Sequence, residues 1–485
     1  MAPAELFSFF GTNNNTAPRL LLVAHVSARS QNIARMDLSR LIAVAVLLGA
    51  LRPLLSHCAG DVEGLHPLVL VPGYGSNLLE ARLTAAYEPP APGCGKGNGW
   101  FRLWPINQTA MQDPRQVPCF VDQMSLVYDA VADDYGNVAG VVTRVPLFGS
   151  TRGLIGWDPL LRELEAAGYR DGESLFAVPY DFRYSVAPRG HPSAEGACNF
   201  DEFTRLVERA SSLSQGRPVV VAAHSFGCAL TYQFLLGRPL AWRRRFVKRV
   251  VLVASALGGF SEGMNDLAAG TDYGLPNVAR PARVRLARSQ QSALWRLPTP
   301  AVFGDRPLVV TKNATYTAHN IAEFFEAVGF PEGVRPYVTL VLPAWEALPA
   351  PMVPVTSIIG VGVSTPETFV YGEDGFAGTP EVVYGDGDGD INMVSLVAIE
   401  KEWSGVEGQV LTVVRLPGVR HDGFFSVGFA LEKVVAEILE AAGTIELHPK
   451  IGRVQIDAGP VWKEDRCRVH EGLYNASSNA FLEVL

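Results

Sequence analysis

The sequence has no excess of positive charge, and this absence limits the partners that it can have. Lysine and arginine together number 41 against 49 aspartates and glutamates, which gives a formal net charge of −8 over 485 residues. Nucleic-acid-binding proteins are usually basic, so this balance argues against a nucleic-acid partner. The one basic cluster, RRRFVKR at 243–249, is short and is interpreted as the solvated end of a helix.

Long apolar runs are absent as well. A helix that spans a bilayer needs about 20 apolar residues, whereas the apolar run at 41–51 is much shorter and follows Arg40. Small residues come next at 58–60, and this build is typical of a secretory signal peptide. We therefore expect residues 1–60 to be an N-terminal extension followed by a signal peptide at 36–60, with a targeting segment or signal anchor as the alternative.

Cysteine is also scarce, with six in the whole chain, which excludes a disulfide-rich scaffold and fits a lightly cross-linked exported protein. Cys94 and Cys119 are close in sequence and flank an aromatic segment, so they are the best disulfide candidates. Cys228 lies in an apolar run and is expected to be a buried free thiol. Four N-x-S/T sequons, at Asn14, Asn107, Asn313 and Asn475, also occur. We expect a place in the secretory pathway (extracellular, vacuolar or endomembrane lumen), peripheral to membranes.

What the sequence does contain is ample apolar material, 48% of all residues, arranged in short runs. Continuous apolar runs predict strands that are buried on both faces, as in a parallel sheet; they occur at 66–73, 218–225, 249–255, 355–363 and 409–417. Amphipathic patterns of helical period lie between them at 158–168, 200–213 and 429–443. This alternation predicts an α/β fold with a mostly parallel sheet flanked by helices.

Two stretches interrupt the alternation. Residues 79–150 carry proline, glycine and paired aromatics, and residues 256–350 show little strand pattern. Long insertions in a compact α/β domain are usually functional lids or caps. We therefore expect a single domain at 61–485 with a membrane-contacting lid at about 79–150 and a cap at about 256–350.

The pentapeptide AHSFG at 223–227 follows an apolar strand and precedes a helical pattern. This is the context of the G-x-S-x-G nucleophile elbow, here with Ala223 in place of the first glycine. The elbow would present the Ser225 hydroxyl at the carboxyl end of the sheet. The alternative is a serine that only caps the following helix.

A nucleophilic serine needs an oxyanion hole, which in this kind of elbow uses the amide of the next residue, Phe226, and a second amide from the loop after an earlier strand. The stretch VLVPGYGSNLLEA at 69–81 is such a loop. Its best donor is the Tyr74 amide, just past the Pro-Gly pair. The alternative for this stretch is an ordinary turn at the end of a strand.

A base and an acid must follow the serine in the chain. His421 lies directly after the strand pattern at 409–417 and before a helical pattern, so it is the predicted base. The histidines at 448 and 470 lack a preceding strand, and His319 precedes the best acid candidate. Between the serine and His421 stands YGDGDGDINMVSL at 384–396.

This aspartate-rich stretch is not an EF-hand calcium loop, because Ile391 and Val397 stand where such a loop needs glycine and a bidentate glutamate. Its glycines let the backbone turn tightly and bring one carboxylate to the imidazole. Spacing alone does not choose among Asp386, Asp388 and Asp390. A solvated acidic turn is the alternative, and neither a metal site nor a cofactor is expected.

At these motifs the sequence resembles the lecithin–cholesterol acyltransferase family, which is related to the phospholipid:diacylglycerol acyltransferases. The matching stretches are LVPGYGSNLLEA, PYDFRY, AHSFGCAL, PAPMVPVTSIIGVGV, YGDGDGDINMVSL and the loop that holds His421. In the family the acid is the second aspartate of Y-x-D-G-D-x-T-V, which implies Asp388; Asp390 and Ile391 replace the usual threonine and valine. The resemblance implies an α/β-hydrolase fold and the amides of Tyr74 and Phe226 as oxyanion donors.

The family also has a lid near its N-terminus that is closed by a disulfide, which implies a Cys94–Cys119 bond. The enclosed segment WFRLW would meet lipid through Trp100, Phe101, Leu103 and Trp104. An internal hydrophobic staple is the alternative for this segment. The second disulfide of the mammalian members has no counterpart, since Thr356 stands where one half should be, and this indicates a plant-type branch.

The resemblance implies a lipid O-acyltransferase that moves a fatty acyl group through an acyl-serine from a phospholipid or acylglycerol to a sterol, diacylglycerol or another lipid alcohol. The alternative is a phospholipase A or other lipid-ester hydrolase, in which water takes the place of the acceptor. A third hypothesis is a lipid-binding protein without catalysis.

Overall fold

The computed structural model describes residues 65–95, 99–107, 113–186, 188–191, 193–270 and 278–443, and the backbone of 470–471. The expected signal peptide at 36–60 and the sequons at Asn14 and Asn475 lie outside these residues. Among the described residues, no helix has both the length and the apolar character needed to cross a bilayer.

The strands of the described residues are, in chain order, β1 Leu68–Val71, β2 Leu79–Leu83, β3 Phe101–Trp104, β4 Leu126–Asp129, β5 Asp134–Asn137, β6 Val141–Arg144, β7 Leu175–Ala177, β8 Val219–His224, β9 Val247–Val253, β10 Val309–Val310, β11 Thr315–Tyr316, β12 Val355–Val361, β13 Val363–Val370, β14 Glu381–Gly387, β15 Leu411–Pro417 and β16 His470–Glu471.

The α-helices are α1 Gln116–Met124, α2 Asp158–Ala166, α3 Ala194–Leu213, α4 Phe226–Leu236, α5 Leu240–Phe246, α6 Glu262–Ala269, α7 Arg280–Ser289, α8 Gln291–Trp295, α9 Pro300–Phe303, α10 Ile321–Ala327, α11 Val334–Pro336, α12 Met393–Leu396, α13 Ala398–Trp403 and α14 Gly428–Ala442. Short 3-10 turns occur at Thr151–Gly153, Pro331–Gly333, Leu342–Ala344 and Gly375–Ala377, and a π-helical turn at Tyr337–Val341.

A six-stranded sheet lies at the centre of the fold, with the order β15-β12-β9-β8-β1-β7 and every neighbouring pair parallel. Five of these strands overlap the apolar runs that predicted them. The sixth, β7, has three residues and is too short to stand out in the sequence. The predicted α/β fold with a mostly parallel sheet flanked by helices is confirmed.

Both faces of this sheet are covered because side chains alternate along each strand. On β1, Leu68 and Leu70 belong to one buried cluster, together with apolar residues of α2 and α14. Val69 and Val71 belong to a second buried cluster, which includes residues of α3 and α4. A strand without polar residues can therefore pack against a helical layer on each face of the sheet.

The chain order places two loops side by side. From β1 the chain forms β7 on one side of it and then β8 on the other side. The loops that follow β1 and β8 thus leave neighbouring strands at the same edge, which is where sites form in open parallel sheets. These are the loops predicted to carry Tyr74 and Ser225.

Smaller sheets accompany the central one. β16, β6, β2 and β3 form an antiparallel sheet, and β4 pairs with β5; all of these strands except β16 lie within the stretch where the lid was expected. A disulfide joins Cys94 to Cys119 there. A further sheet has the order β11-β10-β13-β14, and its β13–β14 hairpin carries the aspartate-rich stretch.

Candidate active site

Ser225 lies at the sharp turn between β8 and α4 and has a left-handed backbone, with φ 54° and ψ −125°. Such a conformation is strained for a residue with a side chain and is typical of a nucleophile elbow. The turn is fixed by two bonds: the Ser225 amide donates to the Val253 carbonyl at 3.0 Å, and the Cys228 amide donates to the Ser225 carbonyl at 2.9 Å. The hydroxyl is therefore presented at the carboxyl end of the sheet.

The elbow packs directly against the backbone of the loop after β1. A Cβ atom at Gly227 would lie 2.3 Å from the Pro72 carbonyl oxygen, so only glycine fits there. A Cβ atom at Gly73 would lie 3.1 Å from the Cβ of Ser225. At the first position of the motif Ala223 is accommodated, and it is buried in the sheet.

The structure brings Ser225, His421 and Asp388 together in one hydrogen-bonded chain. Nε2 of His421 lies 2.8 Å from Oγ of Ser225, and Nδ1 of His421 lies 2.9 Å from Oδ2 of Asp388. His421 stands in the loop between β15 and α14, and Asp388 directly follows β14. Three loops from distant parts of the chain thus meet at one edge of the sheet.

Of the three aspartates, Asp388 is the one that hydrogen-bonds to the imidazole. It is fully buried, and its Oδ1 accepts hydrogen bonds from the amides of Asp390 at 3.1 Å and Ile391 at 2.7 Å. These two bonds fix the orientation of the carboxylate. Asp386 is exposed and instead accepts a hydrogen bond from the Gly362 amide at 2.7 Å.

The two histidines of the site titrate differently. Burial by itself lowers the pKa of His421, but the hydrogen bond and charge of Asp388, with the charges of Asp390 and Asp422, raise it above the usual value for histidine. For His224, burial and the neighbouring His421 lower the pKa to about 3. His224 is therefore neutral, and its Nε2 donates to the His421 carbonyl at 3.2 Å.

A cavity of about 180 Å³ opens beside the serine and the histidine. Its wall is mostly apolar and includes Phe260, Trp295 and Ile391, but it also includes the charged residues Arg296 and Asp390. Burial, opposed by His421, raises the pKa of Asp390. In the part of the chain that the structure describes, no cluster of His, Cys, Asp or Glu side chains could hold a metal ion.

The two residues predicted to supply oxyanion donors, Tyr74 and Phe226, line the same cavity as the serine. Phe226 is the first residue of α4, so its amide is among the first-turn donors that have no acceptor within the helix. The Tyr74 ring packs edge-on against Phe182, with centroids 5.0 Å apart, and under the guanidinium of Arg296 at 4.8 Å.

The residues predicted to touch lipid are placed less uniformly. Leu103 is 3% exposed and belongs to the core, and the indole N–H of Trp104 donates to the Gly75 carbonyl at 2.7 Å. The prediction that Leu103 contacts lipid is therefore wrong, because the side chain is buried in the core. Internal packing accounts for both Leu103 and Trp104. Phe101 and Trp100 are half-buried, and the Trp100 ring lies under the guanidinium of Arg144 at 4.2 Å.

Sequence reasoning missed three residues around the site. Arg296 lies in the stretch expected to form the cap, and no pattern marked it. The sequence pattern presents Asp390 only as a candidate acid, not as part of the cavity wall. Tyr180 donates from its hydroxyl to the Pro72 carbonyl at 2.9 Å, and the PYDFRY stretch that contains it carries a family resemblance but no catalytic pattern.

The fold and the contacts of Ser225 define an α/β-hydrolase-fold protein with a serine at its nucleophile elbow. The chain belongs to the lecithin:cholesterol acyltransferase family, because residues 100–347 match the family model of that description and because it has close relatives there. It is 70% identical over 418 residues to lecithin-cholesterol acyltransferase-like 1 of Oryza sativa subsp. japonica, covering 86% of this chain and 95% of that protein.

Two further relatives are more distant. Lecithin-cholesterol acyltransferase-like 1 of Arabidopsis thaliana is 39% identical over 405 residues, which covers 79% of this chain and 92% of that protein. Lysosomal phospholipase A and acyltransferase of Homo sapiens is 31% identical over 374 residues, covering 74% of this chain and 87% of that protein. The resemblance to a plant-type branch, which the motifs indicated, is confirmed.

Proposed function

We propose that this chain is a lipid O-acyltransferase in which Ser225 is the nucleophile, His421 the base and Asp388 the acid that orients the imidazole. The observation that carries the proposal is the continuous set of contacts from the serine Oγ through both ring nitrogens to the carboxylate, at 2.8 and 2.9 Å. Membership of the lecithin:cholesterol acyltransferase family supports a fatty acyl ester as the substrate class.

In the first half-reaction His421 accepts the hydroxyl proton while Oγ of Ser225 bonds to the ester carbonyl carbon. The tetrahedral intermediate then breaks its bond to the alcohol oxygen, and His421 gives its proton to that oxygen. An acyl-serine remains. In the second half-reaction the acceptor hydroxyl loses its proton to His421 and attacks the acyl carbon, and the proton finally returns to Ser225. None of these steps calls for a cofactor or a metal ion.

The negative charge on the carbonyl oxygen needs hydrogen-bond donors that are already in place. We assign this role to the amides of Tyr74 and Phe226, and their position around the serine cavity supports it. One donor of this kind is typically worth about 10²–10³ in rate. The neutral His224 helps to position His421 through its hydrogen bond to the backbone carbonyl of that residue.

The proposed donor is a phospholipid or an acylglycerol, and the proposed acceptor is a sterol, diacylglycerol or another lipid alcohol. The second candidate function is a phospholipase A, with water as the acceptor. It is favoured by the human relative, whose name combines phospholipase A and acyltransferase. The triad serves both reactions equally, so the outcome depends on how well the residues above the cavity exclude water.

We also assign the stretch at about 79–150 as a lid and that at about 256–350 as a cap of a single domain at 61–485, with the preceding residues directing export. Trp295 and Arg296 of the cap stretch contribute to the cavity wall, which supports a role of the cap in binding the acyl ester. The enzyme would act on a membrane surface from the lumenal or extracellular side.

The decisive experiment supplies the purified full chain with vesicles of phosphatidylcholine that carries a labelled acyl chain. Three reactions are compared: one without an acceptor, one with a sterol and one with diacylglycerol. The Ser225→Ala variant is assayed under the same three conditions. We expect a labelled ester of one added alcohol, no product with Ser225→Ala, and labelling of Ser225 by a fluorophosphonate probe. Free fatty acid as the only product in every reaction would establish the phospholipase instead.

A further inference from the structure

The loop that carries Tyr74 is held by a residue outside the predicted triad and oxyanion pair. The Tyr180 hydroxyl donates to the carbonyl of Pro72 at 2.9 Å, and Tyr180 is 3% exposed. Pro72 directly follows β1 and stands two residues before Tyr74. The bond therefore fixes the start of the loop.

The other end of this loop is bonded to the backbone of the same tyrosine. The side-chain amide of Asn77 donates to the Tyr180 carbonyl at 3.0 Å, and the Tyr180 amide donates to Oδ1 of Asn77 at 3.4 Å. Asn77 is fully buried. Tyr180 thus holds both ends of the loop 72–77, the first through its hydroxyl and the second through its backbone.

The hydroxyl contact bears on the geometry of the site because Pro72 is joined directly to Gly73 and then to Tyr74. The peptide from Pro72 to Gly73 is planar, so a bond to its carbonyl also sets the direction of the Gly73 amide. Glycine tolerates many backbone conformations, and without an anchor the next peptide, which carries the Tyr74 amide, has freedom to turn. The Pro72 carbonyl also faces the elbow, where the backbone of Gly227 packs closely against it.

We propose that Tyr180 is a positioning residue: its hydroxyl holds the Pro72–Gly73 peptide so that the Tyr74 amide points at the oxygen that becomes negative when Ser225 attacks. This inference rests on the proposed function and extends it by one residue. Tyr180 is not among the residues that line the serine cavity. Burial raises the pKa of Tyr180 well above its usual value, so the hydroxyl keeps its proton and remains a donor.

The chain contains a matched control at the opposite end of β1. The Tyr169 hydroxyl donates to the carbonyl of His66 at 3.0 Å, and Tyr169 is 2% exposed. Tyr169→Phe and Tyr180→Phe each remove one buried hydroxyl from one backbone carbonyl beside the same strand. We therefore expect the two variants to lose similar amounts of stability, whereas only Tyr180 is bonded to the loop that carries the Tyr74 amide.

The test measures kcat and KM on a soluble short-chain nitrophenyl ester, together with inhibition by an alkyl trifluoromethyl ketone and by a non-cleavable ether analogue of the ester. For Tyr180→Phe we expect kcat to fall at least about 10-fold and KM to stay unchanged. This loss is smaller than the factor of about 10²–10³ expected when an oxyanion donor is removed completely. The ketone, which forms an oxyanion on Ser225, should lose affinity by a similar factor, and the ether analogue should not. Tyr169→Phe should leave the affinity for both inhibitors unchanged.

A second variant keeps the test decisive if phenylalanine impairs folding. 4-Aminophenylalanine at position 180 restores an N–H donor, and we expect it to recover most of kcat and of ketone affinity. Equal behaviour of Tyr180→Phe and Tyr169→Phe, or a loss of ketone and ether affinity together, would overturn the role of Tyr180. Unchanged turnover by Ser225→Ala would instead overturn the proposed function, so the two failures are distinct.

Discussion

Asp388 holds His421 in two ways, through the carboxylate at 2.9 Å from Nδ1 and through its backbone carbonyl, which accepts the His421 amide at 2.7 Å. The ring and the backbone of the histidine are therefore positioned by one residue. Because Asp388 is buried and its other oxygen receives two amides, the carboxylate cannot rotate away without losing those bonds.

The first prediction separates the neighbouring aspartates. Asp388→Asn keeps the shape of the side chain but replaces an acceptor by a donor, so His421 is held in the wrong tautomer and kcat should fall roughly 10⁴-fold. Asp386→Asn, which changes an exposed side chain bonded to Gly362, should leave kcat within a few-fold. Steady-state kinetics on a soluble ester checks both variants, and the reverse order would show that the wrong carboxylate had been assigned.

The second prediction concerns pH. The base must be neutral, and the pKa of His421 is raised, so the rate should rise with pH along a limb that lies above the usual histidine value. Asp390→Asn removes a negative charge that favours the imidazolium, which lowers the pKa of His421 and moves this limb to lower pH. Profiles of kcat/KM against pH measure the shift. The exposed Asp422, whose influence on His421 is smaller, supplies the control, and Asp422→Asn should move the limb less. A limb that moves to higher pH in Asp390→Asn would contradict the electrostatic account.

The third prediction is about stability. Arg183 and Asp181 form a salt bridge at 2.6 Å with no exposed side-chain surface, and the guanidinium also donates to Asn137 and Thr143. Arg183→Met leaves the buried Asp181 carboxylate without its counter-charge, which should lower the free energy of unfolding by about 3–5 kcal/mol. Denaturant unfolding measures the loss, and adding Asp181→Asn should recover part of it because the buried negative charge is then removed as well.

The control for this prediction is an exposed pair, since surface salt bridges contribute little. Arg115 pairs with Asp113 at 2.7 Å, but the Arg115 side chain is 78% exposed. Arg115→Gln should not change the unfolding midpoint measurably. A loss as large as that of Arg183→Met would mean that burial is not what makes the inner pair important.

The sheet and two residues of the site were predictable because local sequence carries their physics. Strands that are buried on both faces must be apolar throughout, and this makes β1, β8 and β12 recognisable in the sequence. A serine or a histidine directly after such a strand lies at its carboxyl edge, so Ser225 and His421 could be placed by position alone.

The choice among the aspartates could not be made in this way. Asp386, Asp388 and Asp390 alternate with glycines, and only the pairing of β14 with β13 decides which one points inward. Asp386 lies in the hairpin opposite Ser364 and is exposed, whereas Asp388 lies just past the strand and is buried. Family resemblance, rather than spacing, selected the residue that the structure places against His421.

The aromatic segment WFRLW shows a different limit. A tryptophan has a large apolar body and one N–H donor, so it suits a membrane interface and a buried carbonyl equally well. The sequence cannot show which of the two a given tryptophan meets. In the structure Trp104 donates to the Gly75 carbonyl, and the half-buried Trp100 ring contacts the guanidinium groups of Arg82 and Arg144.

The fourth prediction uses this difference between the tryptophans. Trp104→Phe keeps the packing against Phe182 but removes the N–H from Gly75, the residue after Tyr74, so kcat should fall on soluble esters and on vesicles alike. Trp100→Ala removes a half-buried ring that takes no part in that bond and should slow turnover on vesicles only. Rates on a soluble ester and on phosphatidylcholine vesicles distinguish the two effects. If Trp104→Phe slowed vesicle turnover alone, the expected lipid contact would hold for Trp104, and its bond to Gly75 would have no part in catalysis.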